Sequence, residues 1–300
     1  MRENKKFCMV GIGEILWDIL PDGKRLGGAP TNFVYHAQTL GGNSIPVTAV
    51  GDDDLGREIQ SHLHTLGIDP SYVFVDKEHP TGTVTVKLDS KGQADFTIHK
   101  NVAWDFIPFT SELEILAEKT DLVCFGSLAQ RSKASRNTIF SFLNSLPEHC
   151  IKIFDVNLRQ DFYNKDILRN SMDHAHILKL NEDELPIVVG MFTSTGTEIE
   201  MLTTLMKHFQ LKLLVLTKGS QGSILMQSEG QYSFLKAPHV HVKDTVGAGD
   251  AFTAVTALGY LKKKPLKKIH NEANLLAAYV CRQSGATPKI PKKIRQKLSI

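Results

Sequence analysis

Short apolar runs alternate with amphipathic segments along most of the chain. Phe7 to Ile12 predicts a strand, and Asn32 to Leu40 predicts a helix closed by Gly41-Gly42 at its C-cap. Ile45 to Val50 predicts a second strand, and Leu55 to Leu66 a second helix ending at Gly67. Leu122 to Phe125, Ile151 to Val156, Ile177 to Leu180 and Leu213 to Thr217 predict further buried strands, with helical stretches between most of them. Strands alternating with helices at this spacing predict an α/β fold, a parallel sheet covered on both faces.

Thr81 to His99 breaks that rhythm. β-branched alternation on both sides of Asp89-Ser90-Lys91-Gly92 predicts a hairpin with a turn. Two readings stand: a small β appendage joined by residues around Trp17 to Leu26, placed to act as a lid, or an extra antiparallel edge on the main sheet.

Composition narrows the classes. Hydrophobic residues at 42% and charged residues at 22% are an ordinary globular balance, which excludes wholesale disorder. A formal charge of +3 is too small to demand a polyanionic partner. The lysine-rich stretches at 262–268 and 289–297 adjoin only Tyr260, so a solvated helix end and tail is favoured over a nucleic-acid patch. Cys8, Cys124, Cys150 and Cys281 lie far apart without metal-ligand spacing, and a reduced, cytoplasmic protein is expected. Glu14 and Asp18 interrupt the N-terminal apolar stretch, against an export signal, and no run approaches a membrane span.

The chemistry concentrates in Asp244-Thr245-Val246-Gly247-Ala248-Gly249-Asp250-Ala251-Phe252. A short β-type run is predicted to end near Val246, and a helix to follow with Ala251, Phe252, Ala254, Val255, Leu258 and Leu261 on its apolar face. The Gly-Ala-Gly turn exposes backbone N–H groups at a helix start, where the dipole favours an anion such as a phosphoryl group. Asp250 at that start is either a dipole-stabilised cap or the base that takes a proton from an attacking hydroxyl. No G-x-x-x-x-G-K-[ST] loop occurs. Leu16 and Phe252 stand where a dinucleotide fingerprint would need glycine. The i,i+2 histidine pairs (His62/His64, His174/His176, His239/His241) match no zinc-enzyme pattern.

Asp244 to Phe252 closely resembles the C-terminal signature of the ribokinase-like (PfkB) carbohydrate kinases. Gly27-Gly28-Ala29-Pro30-Thr31-Asn32 with Leu40-Gly41-Gly42 resembles the N-terminal one, and the likeness runs from Val10 to Pro291. It implies a three-layer α/β/α sandwich with a mainly parallel sheet: a single kinase domain over 1–300, its β lid formed by roughly 16–28 and 80–104. It also implies a homodimer paired through the lid, small-molecule sugar and ATP as ligands, and no nucleic-acid or membrane partner.

Residue by residue, the resemblance implies that Asp250 is the base. The amides of Gly247, Ala248 and Gly249 would hold the developing charge, and Arg159 would add positive charge. Asp18, Gly28, Asn32, Phe96, Asn157 and Arg159 would contact the sugar. Asn181 and Glu184, from the N-x-x-E motif, would place phosphates and magnesium, Glu184 indirectly. Thr217, Gly219 and Gly222 would line the nucleotide loop, with Asn274 beside the adenine. Asp244, with carbonyls near Val246 and Gly285, would form a monovalent-cation site, so potassium joins ATP and Mg2+ among the expected cofactors. On residues alone, the alternatives are Asp18 as a turn residue before Pro21-Asp22-Gly23, and Asn181 as a helix cap before an exposed Glu184.

Leu16-Trp17-Asp18-x-x-Pro21, Gly28-Ala29-Pro30 and Val102-Ala103-Trp104-Asp105 look most like bacterial fructokinases. They imply phosphorylation of D-fructose to D-fructose 6-phosphate. Phe33 and Val34 depart from the smaller residues of relatives there. The alternatives are 2-keto-3-deoxygluconate, ribose or a nucleoside as acceptor, or a sugar-binding homologue without catalysis.

Overall fold

The computed structural model describes residues 6–88, 94–193, 196–228 and 230–298; the side chains of 86–88 and 94–96 lie outside that description. The chain begins β1 (Cys8–Ile12), β2 (Leu16–Leu20), β3 (Gly23–Gly27), α1 (Ala29–Thr39), β4 (Asn43–Gly51), α2 (Asp54–Thr65) and β5 (Val73–Asp76). The hairpin arms β6 (Thr83–Leu88) and β7 (Ala94–Ile98) follow, then α3 (Ser111–Lys119), β8 (Leu122–Gly126), α4 (Lys133–Asn144) and β9 (Ile151–Asp155). Next come α5 (Lys165–His174), β10 (Ile177–Asn181), α6 (Glu184–Phe192), α7 (Glu198–His208), β11 (Leu213–Thr217), β12 (Ser223–Gln227) and β13 (Tyr232–Leu235). Three helices close the chain: α8 (Ala248–Leu261), α9 (Leu266–Cys281) and α10 (Lys292–Lys297).

The large sheet has the order β13-β12-β11-β10-β9-β8-β1-β4-β5. Its pairings from β11 across to β5 are parallel, whereas β12 and β13 are antiparallel additions. Alternate residues of one strand enter different cores, as the period of two requires. Val123 and Phe125 pack in one, with Leu113, Ile139 and Phe142; Leu122 and Cys124 pack in the other, with Phe33, Ala251 and Leu276. The result is the three-layer arrangement expected.

Residues Ala251 to Gly259 of α8 are all buried, and the two hydroxyls among them, Thr253 and Thr256, bond back to Gly249 O and Phe252 O. A helix buried on every side has to be enclosed, and α1 and α9 flank it. Gly259 permits that approach, since a Cβ there would lie 2.8 Å from Ile269 Cγ1.

The hairpin is not an edge of the main sheet. Strands β6 and β7 pair antiparallel, β6 lies parallel to β2, and β2 pairs with β3 in a separate four-stranded sheet. Its predicted turn, 89–92, lies outside the described residues. The sheet's root is held by Trp104, which is fully buried, and by Arg131, which donates to Asp105 at 2.8 and 2.9 Å and to the His99 carbonyl at 2.5 Å.

One expected strand is absent. No strand occurs among described residues 236–247, and Val242 and Val246 are about half exposed. The backbone there is held by side chains and carbonyls in place of a ladder: Lys243 N–H bonds to Cys281 O at 2.8 Å, and Val246 N–H to Asp244 Oδ1 at 3.0 Å.

Candidate active site

Strand order reverses between β1 and β8, and in open α/β sheets the crevice beyond the strand ends at such a point receives ligands. Glu14 follows β1 directly there, and Asp155, Asn181 and Thr217 close β9, β10 and β11 on the same side. Two helices point their N-termini toward this edge. Both α1 and α8 have glycine N-caps, Gly28 and Gly247, with no side chain capping the first amides.

Asn32 Nδ2 donates to Asp250 Oδ2 at 2.8 Å, tying the first turns of α1 and α8 together. The other amide atom, Asn32 Oδ1, is buried without a partner, as is Glu14 Oε2. Asp250 is partly buried, and desolvation with the nearby Asp155 charge pushes its pKa to about 6; Lys179, the Asn32 bond and Arg159 oppose the shift. A carboxyl poised near neutrality at a helix N-terminus suits proton abstraction.

The glycines have more specific reasons than room for a phosphate. Gly247 adopts φ +78, and a Cβ on it would meet the Ala286 backbone at 2.6 Å. A Cβ on Gly249 would lie 3.2 Å from Lys179 Nζ. Gly28, at φ +111, would place a Cβ 2.4 Å from Glu14 O, so β1 and the start of α1 fit only with glycine there.

On the sugar side, Asp18 on β2 packs against Gly27. Its pKa is raised to about 6 by burial, with Arg159 and Arg25 pulling it down. Arg159 itself is exposed and donates to its neighbour Leu158 O at 2.9 Å; its charge acts on Asp18, Asp250 and Glu14. Asn157 takes φ +43, and its carbonyl accepts from Ser127 Oγ at 3.3 Å. The Phe96 side chain lies outside the described residues.

On the nucleotide side, Asn181 Oδ1 accepts from the amides of Asp183 and Glu184, both at 2.9 Å, as a cap. Glu184 is buried, not exposed, and its carboxylate accepts from Leu158 N–H at 2.9 Å and Asn181 N–H at 2.8 Å. It therefore braces the β9 and β10 loops. Asn181 lies in register with Thr217, and Gly219 (φ +49) and Gly222 (φ +115) turn the chain into β12. Asn274 on α9 accepts from Ser223 Oγ at 3.0 Å, and that hydroxyl lies 2.7 Å from His270 Nε2.

Asp244 Oδ1 accepts from Val246 N–H at 3.0 Å and Oδ2 from Gly285 N–H at 2.9 Å, with the Arg25 guanidinium 3.4 Å from Oδ2. Among the described residues no group of three His, Cys, Asp or Glu side chains is arranged for a metal.

On sequence alone Lys179 and Glu14 have no place in the site, and Asp155, although it heads an Asp155-Val156-Asn157-Leu158-Arg159 segment at the ligand end of its strand, has no role of its own. Lys179 and Asp155 pair at 2.9 Å beside Gly249, and Glu14 Oε1 accepts from Ala29 N–H at 3.2 Å with its pKa raised to about 7 by burial. A charged residue inside an apolar strand, as in Ile177-Leu178-Lys179-Leu180, is the signal that finds such groups, because it must be paired. A hollow of about 330 Å³ lined by Phe74, Val75, Asp76, Glu78 and Phe106 lies elsewhere, and no candidate residue borders it.

Residues 22–293 match the pfkB family of carbohydrate kinases. The chain belongs to that family. A fructokinase of Klebsiella pneumoniae is 34% identical over 255 residues, covering 81% of each chain. The crystal structure of an uncharacterised sugar kinase from Pyrococcus horikoshii in complex with ATP superposes with a TM-score of 0.81 at 27% identity, covering 97% of this chain and 99% of that one. A fructokinase from Vibrio cholerae, solved with fructose, ADP and calcium, gives 0.82 at 25% identity over 97% and 98% of the chains. As a pfkB member the chain is a carbohydrate kinase with an ATP site. Among the described residues no helix is long and apolar enough to cross a membrane.

Proposed function

We propose that this kinase transfers the γ-phosphoryl of ATP to a hydroxyl of D-fructose, giving fructose 6-phosphate, with Asp250 as the base. The partly buried Asp250 carboxyl, raised to about 6 and fixed by Asn32 at the α8 N-terminus, carries the reading. The acceptor O6 would lie against Asp250 while Asp18 and Asn32 Oδ1 take its neighbouring hydroxyls. As O6 attacks, its proton passes to Asp250, and the amides at Gly247, Ala248 and Gly249 hold the charge on the transferring group. Arg159, exposed and in no ion pair with a carboxylate among the described residues, adds positive charge. The sheet β3-β2-β6-β7 acts as a lid that excludes water from the activated base, and pairing of two lids would make a dimer.

Thr217, Gly219, Gly222 and Asn274 would line the nucleotide, beside Asn181. Magnesium, when bound, would neutralise the phosphates. Glu184 would act on it only through water, since both its oxygens already serve backbone amides. A monovalent cation at Asp244, with carbonyls at Val246 and Gly285, would share that carboxylate with Arg25.

Fructose rests partly on Trp104 and Asp105, yet these residues lie at the lid's root, Trp104 in the core and Asp105 on Arg131. Other acceptors therefore belong in the test: ADP release from Mg-ATP with fructose, ribose, 2-keto-3-deoxygluconate and adenosine. Turnover confined to fructose is the expected outcome. Turnover with another acceptor keeps Asp250 and refutes fructose; silence with all of them, with sugar binding retained, points to a non-catalytic homologue.

A further inference from the structure

Strand β10 buries four of its five residues, and one of them is Lys179. Its ammonium lies 2.9 Å from Asp155 Oδ1, with side-chain exposures of 9% and 6%. Asp155 Oδ2 accepts from Thr253 Oγ1 on α8 at 3.4 Å, and that hydroxyl also lies 3.0 Å from Gly249 O. The position a Gly249 Cβ would take is 3.2 Å from Lys179 Nζ. The ammonium thus packs against the first turn of the helix that bears the base.

The charges around it are unequal. Asp155 at the end of β9, Glu184 on α6 and Asp250 on α8 all act on Lys179, and Asp250 in turn acts on Glu14 after β1. Cys124 on β8 lies in the same field, its thiol pushed well up by burial and so uncharged. Against these carboxyls stand Lys179 and Arg159, and of the two only Lys179 is buried and locked in place. Asn32 and Thr253 contribute neutral hydrogen bonds.

We propose that Lys179 is a positioning residue for phosphoryl transfer: by holding Asp155 against the first turn of α8, its ammonium keeps the Asp250 carboxylate negatively charged and aimed at the acceptor hydroxyl. The role of Asp250 as base underlies this inference. Lys179 does not grip ATP, because its ammonium is enclosed and bonded to Asp155. Electrostatically, Lys179 and Asp155 act on Asp250 with opposite signs. Neutralising the lysine therefore makes Asp250 easier to protonate, and neutralising Asp155 makes it harder.

The experiment compares wild type with Lys179→Gln, which keeps an amide donor to Asp155, with Lys179→Arg, and with Asp155→Asn. The readouts are kcat and KM for both substrates, the acid limb of kcat against pH, and the 13C titration of the Asp250 carboxyl without substrate, assigned by its loss in Asp250→Asn. Lys179→Gln is expected to lower kcat about 10- to 100-fold, with both KM values within about threefold. Its acid limb and its 13C midpoint should rise together by about one pH unit. Lys179→Arg should return the limb toward wild type, and Asp155→Asn should move it the other way. An unmoved limb and midpoint in Lys179→Gln, with wild-type turnover present, overturn the inference and leave Asp250 as base. A KM for ATP raised far more than kcat falls overturns it in favour of a direct phosphate contact. Should Lys179→Gln fail to fold, Asp155→Asn decides alone: a limb unmoved or raised refutes the inference. A wild type silent with every sugar refutes the base itself, and with it any role of Lys179 in transfer.

Discussion

Arg131–Asp105 and Lys179–Asp155 are buried ion pairs of nearly equal length, and their surroundings are opposite in kind. Arg131 meets Asp105 with two bonds, stacks 4.0 Å over the Trp104 ring and 4.7 Å over Phe162, and donates to the His99 carbonyl. One cation faces one anion in an aromatic cage, at the root of the small sheet. Lys179 meets Asp155 among Glu184 and Asp250, so carboxyls outnumber the one fixed cation there. A matched pair serves architecture. A surplus of buried carboxyls is unfavourable for folding and is kept where chemistry uses it.

The largest effect separating the two regions is on rate. Asp250→Asn should lower kcat about 1,000-fold, in line with removal of a general base, while the Kd for sugar by calorimetry stays within about tenfold. Near-normal turnover would remove Asp250 from the mechanism. The same variant should melt higher than wild type at neutral pH, since it removes a like charge from the cluster.

Arg131→Met is the converse. It strands Asp105 in the core and should cost about 3–5 kcal/mol, a fall in melting temperature of roughly 10 °C. Its kcat at 25 °C per folded molecule should stay within about threefold. A thousandfold loss of kcat in well-folded Arg131→Met would erase the distinction between the pairs.

A third comparison uses pH. The Asp250 pKa is about 6 in the folded protein against 3.8 for the free side chain, so the folded state holds the proton more tightly. Its unfavourable contribution is full above pH 7 and is relieved as pH falls through 6 toward 4. From pH 8 to pH 5 wild type should gain about 1.4 kcal/mol relative to Asp250→Asn, read by denaturant unfolding. Glu14 and Asp18, also raised, act in the same direction. In rate the same group acts oppositely, and kcat should fall tenfold per pH unit below about 6.

The two regions also differ in how much of them the sequence discloses. Strands β8 to β11 end within a residue of their apolar runs, because strands buried on both faces leave an uninterrupted signal. Strands β5 and β13 are short and partly exposed, so their runs do not stand out. The glycine-rich start of α8 is local in sequence and therefore readable. The partners of Asp250 are not: Asn32 is 218 residues away, and Lys179 and Asp155 arrive from two other strands. Glu184 reads locally as an exposed helix residue, and only the fold folds it under Leu158. Trp104-Asp105 resembles part of a fructokinase pattern, and its structural work, anchoring the small sheet through Arg131, is not visible locally because the arginine lies 26 residues on.

The smallest effect concerns a third, half-exposed ion pair. Arg25 on β3 joins the small sheet to the Asp244 loop, 3.4 Å from Asp244 Oδ2 and 3.0 Å from Asp22. Exposed pairs of this kind contribute at most about 1 kcal/mol, so Arg25→Ala should leave the melting temperature within about 3 °C. The informative change lies in salt response. Arg25 and any monovalent cation at Asp244 compete for one negative charge, and removing the guanidinium should lower the potassium concentration for half-maximal kcat about threefold. Rubidium should follow potassium, while choline, too large for the loop, should have no effect. An unchanged potassium response in Arg25→Ala would mean that Asp244 is occupied by its backbone amides alone, and that the contact only fastens the small sheet to the body of the kinase.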